Sequence, residues 1–138
     1  MSLARNKSAR NKSGFFQEVR WGAVKNQLRN VLGTHFLEAQ REVIARRERV
    51  FLINGRSIVL LRAEGKELVV AGFVGDIETA APLIFQQAKN RGFTSIRIHA
   101  TRRSELRKLN AMGFNFKLVS QHKCTARNCD EFEMRMEM

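Results

Sequence analysis

A chain of 138 residues with 43% hydrophobic content can bury one core, which argues against a chain disordered throughout and against a two-domain enzyme. Its 25 lysines and arginines against 13 acids give a formal charge of +12, so polyanions attract it and nucleic acid is the first partner class to weigh. Ten phenylalanines and one tryptophan stand beside no tyrosine, which excludes any mechanism that needs a phenol. No apolar run reaches the roughly 18 residues of a membrane span, and the first residues carry charge without the apolar stretch of a signal peptide. A cytoplasmic protein that meets no membrane is the expectation. Cys124 and Cys129 are then thiols, and their number excludes a disulfide framework.

In chain order, Ala4-Arg5-Asn6-Lys7-Ser8 is repeated at once as Ala9-Arg10-Asn11-Lys12-Ser13. With four cations, no acid and few apolar groups, residues 1–14 read as a disordered basic arm, either a solvated tail or a segment that touches phosphates. Residues 15–138 read as a single domain. From Phe15, the spacing of Trp21, Val24, Leu28, Val31 and His35 predicts a helix ending near Gly33. Thr34 is the candidate N-cap of a second helix carrying Phe36, Ala39, Val43 and Ile44. Val50–Ile53, Arg56–Arg62 and Glu67–Val74 read as an antiparallel meander, with Asn54-Gly55 as a type I′ turn. A helix follows, with Ile77, Ala81, Ile84 and Ala88 buried, Asp76 or Thr79 as its cap, Pro82 in a first turn counted from Thr79, and Gly92 closing it. Thr94–Ala100 alternates as a strand, 102–112 reads as a short helix, and strands beginning at Phe114 and at Glu131 complete the order ααβββαβαββ. This is an α/β chain with a three-layer, mixed-sheet arrangement.

Several of these segments together resemble the GNAT superfamily of acetyl-CoA-dependent N-acetyltransferases. The resemblance runs from Lys66 to Met138. Ala81–Phe93, ending Lys89-Asn90-Arg91-Gly92-Phe93, is similar to the family's central helix, and Leu106–Phe114 is similar to the helix that closes on glycine-phenylalanine. The resemblance implies an acyl-CoA site, with backbone groups of Gly72, Phe73, Val74 and Gly75 along the coenzyme and acetyl-CoA as the possible cofactor. Three features depart from it. The family's glycine-rich diphosphate loop is replaced by Gly75-Asp76-Ile77-Glu78-Thr79, which brings two carboxylates to a helix start where an anion would sit. Leu109 occupies the position of the family's general-acid tyrosine. No strand is read ahead of the first helix. The expectation is a GNAT-like scaffold with an altered or lost coenzyme site.

His99, near the end of its strand, is the candidate general base, with Glu67, Asp76 and Glu78 as carboxylate alternatives. A backbone-bonded histidine and a helix cap are the simpler readings of His99 and Asp76. His122, Cys124, Cys129 and Asp130 carry ligand-type atoms, but their spacing lacks the paired elements of a zinc site, so no metal is expected. Arg102, Arg103, Arg107 and Lys108 on one short helix make a phosphate-facing patch that Arg41, Arg46, Arg47 and Arg49 extend. Residues 1–50 hold eleven cations and four acids, an excess of +7. The alternative to an enzyme is therefore a non-catalytic basic protein that binds nucleic acid or an acidic protein.

Overall fold

The structure, a computed structural model, describes residues 16–100, 102–124 and 129–138, and for 122–124, 129 and 130 the main chain alone. The arm at 1–14 lies outside these residues. Twelve elements follow one another: β1 (Phe16–Val19), α1 (Trp21–Leu32), a 3₁₀ turn (Gly33–His35), α2 (Phe36–Ile44), β2 (Glu48–Ile53), β3 (Ser57–Glu64), β4 (Glu67–Val74), α3 (Ile77–Asn90), β5 (Ser95–Ala100), α4 (Ser104–Ala111), β6 (Lys117–Cys124) and β7 (Cys129–Glu137). The strands form a seven-stranded sheet in the order β1-β2-β3-β4-β5-β7-β6, antiparallel throughout except for the β4–β5 pair. No described helix is long and apolar enough to cross a membrane.

Helices flank both faces of this sheet, as the mixed three-layer reading requires. Alternation along the strands sends Val50, Ile58 and Leu60 to one side, where they meet Val24, Leu28 and Leu32 of α1 and Phe36 and Ala39 of α2. Phe51, Ile53, Val59, Leu61, Ile96, Ile98 and Met134 face the other side, against α3 and Leu109 of α4. Burying each such side chain contributes about 1.5–3 kcal/mol. The α1–α2 hairpin is further tied by Trp21 Nε1–H donating to Gln40 Oε1 at 2.8 Å, by the Trp21 and Phe36 rings 5.5 Å apart, and by the Arg29 guanidinium 4.2 Å over Phe36.

Several boundaries differ from the sequence reading. A strand does precede α1: Phe16 to Val19 pair with Ile53 to Val50 along the edge of the sheet. The second helix starts at Phe36 after the 3₁₀ turn, and no side chain caps it, so Thr34 is not an N-cap. Asn54 and Gly55 both take positive φ, 53° and 69°, and Arg56 N–H closes the turn on Ile53 O at 3.0 Å, yet strand pairing resumes only at Ser57. Asp76 caps α3, its Oδ1 accepting from Glu78 N–H at 3.2 Å, so Pro82 lies inside the helix rather than in its first turn. Phe114 and Phe116 precede β6: Phe114 packs on Phe85 with ring centroids 5.2 Å apart, and the Asn110 amide bonds both main-chain groups of Phe116 at 3.0 and 2.9 Å.

The sheet is not continuous at its centre. β4 and β5 pair in parallel only from Glu67 opposite Ser95 to Val70 opposite Ile98. Beyond this point Ala71 is an extra residue in β4, because Leu61 pairs with Val70 and Leu60 with Gly72. Gly72 meets α1 there: a Cβ on it would lie 3.1 Å from Leu32 Cδ2. Gly75 ends the strand with φ at +131°, and a Cβ on it would lie 2.9 Å from the Ser57 Cα. Gly75→Ala should therefore destabilise the protein by about 2–3 kcal/mol, from backbone strain and from contact with main chain that cannot yield. Urea denaturation measures this, and an unchanged midpoint would contradict the packing described.

Candidate functional site

The opening between the splayed ends of β4 and β5 is a cleft of about 160 Å³, lined by Ala71 to Gly75, by Ile98, His99 and Ala100, and by Arg102, Glu105 and Leu109. It joins a chamber of about 500 Å³ between the α1–α2 hairpin and the sheet, since Val31, Ala71, His99 and Glu131 line both. The cleft exists because the Ala71 bulge turns β4 away from β5. The chamber exists because α1 and α2 pack over β2 to β4 and leave the β5–β7 part of the same face without a helix.

That uncovered face is polar. On β5, Ile96, Ile98 and Ala100 are buried towards α3, so Arg97 and His99 point the other way, beside Glu131, Glu133 and Arg135 of β7. Charges alternate across it. Arg62 donates to Glu48 Oε2 and Glu64 Oε2; Arg97 bonds Glu64 Oε1 at 2.5 Å and lies 3.2 Å from Glu133 Oε2; Arg135 Nε bonds Glu67 Oε2. His99 closes this series, with Nδ1 3.5 Å from Glu131 Oε2 and Nε2 3.8 Å from Glu133 Oε2. Glu131 also lies 3.9 Å from His35 Nε2, which brings an imidazole from the 3₁₀ turn to the same point.

Burial holds the His99 imidazole below its ordinary value of 6.5; Glu133 and Glu131 oppose this, and Arg97 and Arg62 add to it. The ring is thus neutral at pH 7, and its buried Nε2 has no hydrogen-bond partner among the described residues. At Nε2, then, no main-chain group among the described residues bonds the ring. Glu48, 3% exposed, lines the chamber with Oε1 unpaired among the described residues, and burial pushes its carboxyl up against the opposing effect of Arg62.

The other sequence candidates are scattered. Glu67 lies at the opposite end of β4 from the cleft, roughly 20 Å along the strand, where its Oε2 accepts from Arg135 and from Ser95 Oγ at 3.0 Å. Asp76 is a helix cap, and Glu78 is exposed in the first turn of α3. Glu105, on α4, faces the same helix start; burial raises its carboxyl from its ordinary value, Lys108 and Arg102 oppose this, and Asp76 and Glu78 add to the rise. The side chains of His122, Cys124, Cys129 and Asp130 lie outside the described residues.

The arginines form no single patch. Arg102 lines the cleft at the start of α3, whereas Arg46, Arg47 and Arg49 gather with Arg91 around an apolar hollow of about 270 Å³ at the far end of that helix. A helix of fourteen residues puts these ends about 20 Å apart. Arg41 lies on α2, across the sheet from α4. Arg47 is held by Glu42 through two hydrogen bonds of 2.8 and 3.0 Å.

The sequence matches no protein-family model and no curated protein. Its fold matches solved structures. An IAA acetyltransferase from Bacillus cereus shares 13% identity over 90% of this chain and 99% of its own, with a TM-score of 0.61. An acetyltransferase from Bacillus subtilis in complex with CoA shares 9% over 89% and 97%, with a TM-score of 0.63. A GNAT family acetyltransferase from Elizabethkingia anophelis with acetyl-CoA bound shares 12% over 90% and 97%, with a TM-score of 0.60. The chain has a divergent GNAT-like fold, and at 90% of the chain the likeness extends beyond the part that resembled the family in sequence.

The geometry around His99 is open to direct measurement. Its imidazole should titrate below 6.5 by NMR, and lower still in Glu131→Gln, because the carboxylate removed is one that raises it. A midpoint at or above 6.5 in the unaltered protein would mean that the carboxylates of Glu133 and Glu131 outweigh burial, against the balance described.

Proposed function

We propose that the protein is an N-acyltransferase that takes an acyl thioester in the cleft between β4 and β5 and receives an amine from the adjoining chamber. The observation that carries this reading is the end of the β4–β5 ladder at Val70 and Ile98, with His99 and Glu131 lining both spaces. The main chain from Ala71 to Val74 has no strand partner on the β5 side among the described residues, which leaves peptide groups for the amides of a pantetheine arm. The bound thioester supplies an activated carbonyl whose carbon–sulfur bond breaks. Neutral His99 takes the proton that the attacking amine gives up, and Glu131 stabilises the imidazolium that results. Leu109, fully buried, donates no proton at the family's tyrosine position; Glu105, which lines the same cleft and whose carboxyl burial raises, is the candidate acid.

The fit to the coenzyme is partial. A diphosphate at the start of α3 would meet Asp76 and Glu78, and the N–H of Glu78 is already taken by Asp76. Carboxylates there occupy the favourable end of the helix dipole and repel an anion. The site therefore suits the acyl-pantetheine arm and has an altered grip on the rest of acetyl-CoA. We place the reaction in the cytoplasm, since two cysteines ask for no oxidising compartment.

Isothermal titration compares acetyl-CoA with acetyl-pantetheine. Saturable heat from both, with affinities within about threefold, is expected, because the diphosphate contributes little against the carboxylates of Asp76 and Glu78 at the helix start. No heat from either at millimolar concentration would sink the proposal, and a far tighter acetyl-CoA would contradict the altered grip. His99→Ala should lower turnover about 10²–10⁴-fold while leaving thioester binding unchanged. Since the neutral ring is the active form and its pKa is lowered, the rate should rise with pH along a limb centred below 6.5.

A second reading, binding of nucleic acid or another polyanion, draws on the exposure of Arg102, Arg103, Arg107 and Lys108 at α4. Random-sequence DNA should then be shifted at low salt, and Arg103→Ala with Arg107→Ala should reduce the slope of log affinity against log salt by about two. Absence of a shift at low salt ends this reading.

A further inference from the structure

The hollow at the far end of α3 takes no part in acyl transfer. It lies between the last turn of that helix and strands β1 to β4, on the sheet face turned away from the chamber. Its walls are hydrocarbon, from Phe16, Phe51, Leu61, Ala63, Leu68 and Phe93. Phe16 and Phe93 are only half-buried and Ala63 is exposed, so apolar surface meets solvent here. At about 270 Å³ the hollow falls just under the range of drug-sized pockets, about 300 Å³ and above, which limits an occupant to a small molecule.

The rim carries charge of one sign: five arginines and no carboxylate line the hollow. Two of the five are engaged, Arg47 by both oxygens of Glu42, and Arg62 by Glu48 and Glu64 on the opposite face of the sheet. The other three come from separate elements. Arg49, on β2, has Glu18 at 3.8 Å, and Arg91, after α3, donates from Nε to the neutral Gln87 amide at 3.4 Å. Arg46, exposed in the turn between α2 and β2, has no ion-pair partner among the described residues. The last carbonyls of α3, which would otherwise face an anion, are taken: the N–H groups of Arg91, Gly92 and Phe93 bond Gln87 O, Lys89 O and Ala88 O. Arginines on a flat surface are ordinarily solvated. Around an apolar hollow they differ, because a bound hydrocarbon displaces the water that would screen them.

We propose that this hollow binds a medium-chain alkyl carboxylate, its chain against Phe16, Leu61 and Phe93 and its head group held by Arg46, Arg49 and Arg91. The guanidinium fork matches a carboxylate through two parallel hydrogen bonds. Gln87 is the one neutral polar side chain of the described lining, and Arg91 engages it, so the body of the ligand carries no hydrogen-bonding groups. A flexible chain also adapts to walls that mix rings with methyl groups. Both parts of the ligand are needed: against a molecule of +12 a bare anion is one counterion among many, and the hydrocarbon confines it to this place.

The test is isothermal titration of the full chain with butanoate, hexanoate and octanoate, beside 1-hexanol as the same body without the charge. No acyl thioester is present and the cleft lies at the other end of α3, so failure of the acyl-transfer reading leaves the result unaffected. Saturable octanoate binding is expected, with affinity rising about two- to fourfold for each methylene along the series. Hexanoate should bind at least about tenfold more tightly than 1-hexanol. Arg46→Gln with Arg91→Gln should weaken octanoate at least about tenfold at an unchanged thermal midpoint, whereas Lys25→Gln with Lys117→Gln, which removes the same charge elsewhere, should change it less than about twofold. NMR of the unaltered protein gives a readout that needs no variant: octanoate should move the methyl resonances of Leu61, Ala63 and Leu68 and leave those of Val31 and Ala71, in the chamber, fixed. No saturable heat at millimolar octanoate, affinity that does not grow with chain length, equal weakening by the lysine pair, or shifts confined to the chamber would each overturn the proposal.

Discussion

One extra residue in one strand sets the form of the site. Ala71 opposes no residue of β3, and from that point β4 leaves β5. The parallel pair cannot continue through the bulge, because an added residue shifts the hydrogen-bond phase of everything after it. Ala71 and the residue beyond it then share the α1 side, and only glycine at 72 lets Leu32 come down onto the sheet. The bulge, the cleft and the seat of α1 are thus one feature. A substitution that removed the bulge would close the cleft and lift the helix together.

The uncovered half of the sheet solves a different problem. A face without a helix ordinarily presents either plain solvent-facing polarity or an apolar patch that invites association. Here the charges alternate from β3 to β7: Arg62 and Arg97 share Glu64, Arg97 also lies near Glu67 and Glu133, and Arg135 bonds Glu67 and Glu137. Exposed members of such a series contribute little stability each, and the buried Glu48–Arg62 pair sets its attraction against a desolvation cost of similar size. What the series does is fix orientation. His99 has a carboxylate near each ring nitrogen and an arginine as its next neighbour along the face, so its neutrality results from burial balanced against charges that have little room to move.

Much of this was legible in the residues. Alternation in Ser95–Ala100 placed Arg97 and His99 on the face opposite Ile96 and Ile98, and Asp76 declared itself as a cap. The edge strand Phe16–Val19 escaped notice because its two apolar residues are three apart, which suits a helix as well as it suits a strand buried only at its ends. Glu48 was missed because the strand reads as starting at Val50, although Glu48, Val50 and Leu52 share a face. Glu131 and His35 meet only through tertiary packing: one is on β7, the penultimate strand of the sheet, the other in a 3₁₀ turn 96 residues earlier, and no local pattern links them. The arginine clusters misled for the same reason. Their spacing along the chain carries no information about which end of α3 each one reaches.

The absence of tyrosine and the place of the one tryptophan have a practical consequence. Trp21 is the sole indole of the chain, and it is bonded to Gln40 across the two helices that roof the chamber. With no phenol to contribute, ultraviolet emission above 300 nm comes from this ring alone. Any movement of α1 against α2 changes the indole's hydrogen bond and its contact with Phe36, so the molecule carries an intrinsic optical gauge of whether its roof is open or shut.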